Sequence, residues 1–223
     1  MSMKSSTIAL SAASLITAAL VLSGCSSPDD GEAVSETSSQ TSSATTSSAA
    51  ATTSDDSISF SGERVTLNSG TDTDAPVISV SLPDGWSQTQ EGTTGSVTDI
   101  LSSNQADANG FMPNTTLTVE SQGTATPEEV LAGAQASLGM LNGWTEVNKV
   151  DLDIDGQKAI RVAGTWSPPN VDVPLLAVMT VIAYQADESS PVYLVSFANQ
   201  FTDKEDMALS DQVEEINTSI EFG

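Results

Sequence analysis

The chain of 223 residues has no histidine, a single cysteine, and only 6 Lys and Arg against 30 Asp and Glu. The missing imidazole excludes Ser-His-Asp and Cys-His catalysis, imidazole general bases and nearly every zinc site. One cysteine forms no intramolecular disulfide and no thiolate metal cage. A formal net charge of −24 excludes a nucleic-acid surface, which needs clustered Lys and Arg to meet phosphate. Aromatic residues are only 4% of the chain, so the core is short of large side chains and part of the sequence is not expected to fold. There is no Gly-rich phosphate loop, no G-x-S-x-G elbow and no P-loop. No cofactor, no resident metal and no enzymatic activity are expected.

What is present begins with a leader. Lys4 is the one charge in the first six residues, and the run from Ile8 to Leu22 is built of apolar and small residues. It falls short of the roughly 20 apolar residues a membrane span needs. It ends in Leu22-Ser23-Gly24-Cys25, the outline of a bacterial lipobox. There the Cys25 thiol takes the diacylglyceryl group before the signal peptide, residues 1–24, is removed. Two acyl tails suffice for stable anchoring, so the mature chain is expected on the extracytoplasmic face of the cell membrane, held by Cys25.

Residues 25–56 then read as lipidated Cys25 and a disordered tether. From Ser26 to Asp56 the composition is Ser, Thr and Ala with scattered acids and no aromatic, Leu or Ile. As a flexible coil it has a root-mean-square span of roughly 30 Å, enough to hold a domain clear of lipid headgroups. With Lys4 removed, 5 basic residues face 30 acids. Neutral or cationic ligands and basic protein partners suit that balance better than acidic polymers do.

Residues 57–223 have the length of one ordinary domain. Ile78, Val80 and Leu82 alternate with serines before a Pro83-Asp84-Gly85-Trp86 turn, and Leu117 and Val119 repeat the pattern within Asn114–Glu120. Thr126-Pro127-Glu128-Glu129 reads as a capping box with proline in the first turn. It is followed by a helical stripe of Val130, Leu131, Ala134, Leu138 and Leu141, stopped at Asn142-Gly143. Strands are expected over Trp144–Ile154, Gln157–Trp166, Val171–Gln185 and Pro191–Asn199, the first two joined at Asp155-Gly156. The last two are apolar on both faces and belong mid-sheet. Thr202-Asp203-Lys204-Glu205 reads as a second capping box before Leu209, Val213, Ile216 and Ile220. The expected class is α+β, a largely antiparallel sheet with helices packed on it.

The candidate chemistry is sparse. Asp151-Leu152-Asp153-Ile154-Asp155-Gly156 matches the opening of an EF-hand loop, but its twelfth position is Val162 where a bidentate carboxylate belongs. The alternation of Leu152, Ile154, Ile160 and Val162 is that of a hairpin with solvated acids. The candidate ligand-binding residues are the three indoles, Trp166, Trp86 and Trp144, all at element ends. Such indoles cap a core or stack on a sugar ring. Trp166, beside Ser167-Pro168-Pro169-Asn170, is the foremost of them because that loop is expected to be exposed.

The lipobox, the tether, Leu82-Pro83-Asp84-Gly85-Trp86, Met112-Pro113-Asn114, the Thr126-Pro127-Glu128-Glu129 helix and the hairpin ending in Gly164-Thr165-Trp166 together resemble the LpqN/LpqT lipoproteins of mycolic-acid actinobacteria. The resemblance spans roughly Ala75 to Gly223. It implies a Mog1/PsbP-like α/β/α sandwich and a non-enzymatic role in envelope maintenance. It further implies a link to trehalose-type glycolipids and to their transporters and acyltransferases. It carries over no functional residue beyond Cys25. Two functions fit: binding an envelope glycolipid or its transport machinery, and scaffolding an envelope complex without a small-molecule ligand; a third, a hydrolase, would need a buried carboxylate pair in a cleft.

Overall fold

Thr126 begins the first helix by the reciprocal bonding its sequence implies. Its hydroxyl oxygen accepts the Glu129 N–H at 3.3 Å, and the Glu129 carboxylate accepts the Thr126 N–H at 2.9 Å. Helix α1 runs Pro127–Gly139 and buries Val130, Ala134 and Leu138. Met140 caps it, three residues before the expected stop at Gly143, whose positive φ of 81° instead turns the chain into the next strand. The structure, a computed structural model, describes residues 62–68, 74–90, 93, 95–168 and 173–223. The leader 1–24, Cys25 and the tether 25–56 lie outside the described residues.

Seven antiparallel strands form the main sheet, in the order β3 (Trp86–Thr89), β4 (Val97–Ser103), β5 (Asn114–Ser121), β9 (Tyr193–Phe201), β8 (Leu175–Tyr184), β7 (Gln157–Trp166) and β6 (Trp144–Ile154). A smaller sheet joins β1 (Glu63–Leu67), β2 (Ile78–Leu82) and β10 (Glu221–Phe222). The hairpin of β6 and β7 has the expected bounds, because Asp155 and Gly156 take φ of 50° and 76°, the turn that matches strand twist. Strands β8 and β9 are central as expected, although β8 starts four residues later than expected and β9 ends two later.

The two faces of the sheet have different covers. On one, Leu117, Ile182, Val195, Phe197 and Phe201 pack with Leu209, Val213 and Ile216 of helix α2 (Met207–Thr218) and with Leu67, Ile78 and Val80 of the small sheet. On the other, Ile160, Val162, Met179, Val181 and Ala198 pack with Ala134 and Leu138 of α1. This is the α+β, helix–sheet–helix sandwich. Each fully buried Phe, Leu or Ile here contributes roughly 1.5–3 kcal/mol.

The second capping box is corrected by the structure. Thr202 does not cap α2, because its N–H and hydroxyl both donate to the Asp107 carboxylate, at 2.8 and 2.5 Å. Asp203 instead accepts the Glu205 N–H within a turn. The cap is Asp206, whose carboxylate accepts the Leu209 N–H at 2.9 Å. Leu209, Val213, Ile216 and Ile220 are buried as expected, Ile220 just beyond the helix end.

Candidate functional site

The structure separates one of the three candidate indoles from the other two. Trp86 lies on the α2 face, only 7% exposed, within the main core, and its Nε1–H donates to the Gln212 side chain at 3.0 Å. Its place is that of a core indole with a satisfied polar tip. Trp144 and Trp166 are direct cross-strand partners on the opposite, α1 face. Both are half-buried.

The pairing depends on one extra residue. From Ile154↔Gln157 down to Asn148↔Ala163 the ladder is regular, and beyond it Glu146 opposes Gly164. Val147 is the bulged residue. Without that bulge the register of the turn would set Trp144 opposite Ser167 and the two indoles on opposite faces.

Gly164 provides the seat. A Cβ there would lie 2.5 and 2.6 Å from Cζ2 and Cη2 of Trp144, so the indole rests directly over the glycine backbone. The ring also packs against the α1-side core. Its Nε1 is buried and meets no acceptor among the described residues. The Trp166 Nε1–H donates to the Asn142 carbonyl at 3.2 Å, which ties the end of β7 to the turn after α1. Close by in sequence, Met140 is 73% exposed and Val173 38%. The next row of the same face reads Gly164, Ala177, Gln200 and Asn114 across β7, β8, β9 and β5. The face thus passes from indoles to an amide-bearing floor, and Thr116, Thr118 and Ser196 continue it with hydroxyls. Of these polar groups Gln200, Thr118 and Ser196 are buried, and Asn114 and Thr116 are half-buried.

A polar cleft of about 200 Å³ lies elsewhere, lined by Asp84, Asn104, Asp107, Asp206 and Gln212 among others. It is smaller than the roughly 300–1,000 Å³ of ordinary ligand pockets. Two of its three carboxylates hold the fold: Asp206 caps α2, and Asp107 accepts from Asn109, Phe111 and Thr202. Burial pushes the Asp107 carboxyl up, but the Thr202 hydroxyl and the three backbone N–H groups outweigh it and hold it below the usual range. Lys158 holds Glu128 down, the Thr126 backbone N–H and hydroxyl hold Glu129 down, and the Ser189 hydroxyl leads in holding Asp187 down. All four shifts run opposite to that of a general acid.

The acidic run at 151–156 is a hairpin, as its periodicity implies. Asp151 and Asp153 lie exposed on β6, the Asp153 carboxylate accepts the Gly156 N–H, and the Asp155 carboxylate accepts the Phe222 N–H. Among the described residues no three His, Cys, Asp or Glu converge to hold a metal, and no helix is long and apolar enough to cross a membrane. The Trp144–Trp166 pairing was not anticipated from sequence. Its one signal is the near-symmetric placing of the two indoles about Asp155-Gly156.

The fold is shared with LpqN of Mycobacterium tuberculosis, whose crystal structure is described as that of a protein involved in cell envelope biogenesis. The TM-score is 0.58 at 17% identity, over 72% of this chain and 90% of that one. Cyanobacterial PsbP from Synechocystis matches at a TM-score of 0.44 and 12% identity, over 75% and 96%. No curated protein matches the sequence. The family model described as "Probable lipoprotein LpqN" matches residues 58–222, and the chain belongs to that Lpp-LpqN lipoprotein family.

Proposed function

We propose that this chain is an extracytoplasmic lipoprotein, anchored to the cell membrane through Cys25, that supports envelope biogenesis by binding a trehalose-type envelope glycolipid. In this role it acts without catalysis and hands the lipid to transport or acyl-transfer machinery. Family membership supports the envelope setting. The observation that carries the ligand is the Trp144–Trp166 pair on the α1 face. Indole faces stack on sugar rings, and the exposed Met140 and Val173 nearby in sequence offer apolar surface to an acyl chain.

The test is native mass spectrometry of the detergent-extracted full chain after exposure to a total lipid extract of its own envelope. A glycolipid bound at fixed stoichiometry, lost in Trp166→Ala and kept in Trp86→Phe, is the expected result. A clean unliganded mass, under conditions that load a lipid-binding control, would overturn the glycolipid reading. It would favour the second reading, a scaffold for an envelope complex, which the long exposed edge strand β6 supports.

A further inference from the structure

Strand β6 closes one end of the seven-stranded sheet, and among the described residues no strand pairs with its outer edge. The strand is 11 residues long, and its residues 145–151 are exposed without interruption, a stretch of roughly 23 Å. The opposite edge, β3, has only 4 residues. Long open edges are ready templates for another strand, and proteins blunt them by shortening, covering, bulging or charging them. Among the described residues this one is neither short nor covered, and what it carries is one bulge and the charges of Glu146, Lys149, Asp151 and Asp153. Its one bulge leaves Val147 72% exposed, and Val150 is 41% exposed.

The two faces of β6 specify what would fit. The register places Glu146, Lys149, Asp151 and Asp153 on the α1 face, against Gly164, Val162, Ile160 and Lys158 of β7. It places Val150, Leu152 and Ile154 on the α2 face, where Leu152 and Ile154 pack at the margin of the main core. One side of the edge is therefore acidic and the other apolar. The nearby cations are already engaged: Lys149 by Asp151 at 3.5 Å and by Gln135, and Lys158 by Glu128. A second copy of the chain would set Glu146, Asp151 and Asp153 against the same acids, and like charges directly opposed destabilise strand pairing.

We propose that the outer edge of β6 is a strand-addition site for an extended segment of a partner protein in which cationic and apolar side chains alternate. The added strand bonds its backbone to the free edge, turns its cations toward Glu146, Asp151 and Asp153, and extends the apolar side beyond Val150 and Leu152. The site uses the backbone edge and not the indoles, so it stands independently of the glycolipid reading.

The test uses the full chain in nonionic detergent and an acetylated Lys-Val-Lys-Val-Lys-Val-Lys amide carrying a fluorophore. The readouts are anisotropy and hydrogen–deuterium exchange. Saturable binding with slowed exchange confined to residues 145–153 is expected. The same peptide N-methylated at every residue keeps its charge but loses its donors, and is expected to bind at least roughly tenfold more weakly. Asp151→Asn with Asp153→Asn lowers affinity by roughly three- to tenfold, the worth of two cross-strand ion pairs. Trp166→Ala leaves this binding unchanged. Equal binding of the two peptides, protection outside β6, or no binding would each overturn the proposal.

Discussion

Gly164→Ala tests the seat under Trp144 most directly. The added methyl meets two kinds of neighbour: Cζ2 and Cη2 of the indole at 2.5 and 2.6 Å, and the Thr145 carbonyl oxygen at 2.6 Å. The ring can swing away, but the carbonyl belongs to the β6 backbone and moves only if the strand pair opens locally. Overpacking of this kind costs about 1–3 kcal/mol. For a domain of this size that lowers Tm by about 2–12 °C. Gly133→Ala is the control, since Gly133 lies in α1 with nothing within 4 Å of its would-be Cβ. There alanine stabilises by roughly 0.5–1 kcal/mol through helix propensity. One substitution at two glycines thus has opposite expected signs, read by thermal unfolding monitored in the far ultraviolet. The near-ultraviolet tryptophan signal changes in Gly164→Ala alone. Adding Trp144→Leu to Gly164→Ala restores only part of the loss, because the carbonyl contact remains. A Gly164→Ala protein as stable as wild type, with an unaltered tryptophan signal, would refute the proposed packing.

Three further expectations follow from other parts of the molecule. Asn217 accepts from the Thr180 hydroxyl at 2.9 Å and from the Asn199 amide at 3.2 Å, and donates to the Val213 carbonyl. Asn217→Ala leaves buried groups unpaired between α2 and the sheet and is expected to cost roughly 2–4 kcal/mol in urea unfolding; a loss below about 0.5 kcal/mol would contradict that. Asp107 has a folded pKa below its unfolded value, so its contribution to stability is fully present above about pH 4 and is lost as pH falls through the folded value. The gap in stability between wild type and Asp107→Asn should therefore narrow from pH 5 to pH 2.5, and a constant gap would contradict the bonding to Thr202, Asn109 and Phe111. Cys25→Ser should appear as uncleaved precursor or in the medium; a mature, detergent-partitioning product would rule out anchoring through that thiol.

The parts of the fold legible in the sequence are those whose physics is local. The α1 start is written in Thr126, Pro127 and Glu129, because a capping box satisfies orphan N–H groups with its own side chains. The β6–β7 hairpin is written in Asp155-Gly156, because few residues other than these adopt successive positive φ. The central position of β8 and β9 follows from apolar residues on both faces. What was not legible depends on partners far along the chain. Strands β1, β3, β4 and β10 are short or rich in polar residues, and they exist because a neighbouring strand supplies their hydrogen bonds. The α2 cap moved from Thr202 to Asp206 because Asp107, 95 positions away, holds Thr202. The candidate site divides in the same way. That Trp144 and Trp166 end adjacent strands was determined by sequence alone. That they share a face was decided by the bulge at Val147 and the bare backbone of Gly164, since a one-residue shift of register moves a side chain to the other side of a sheet.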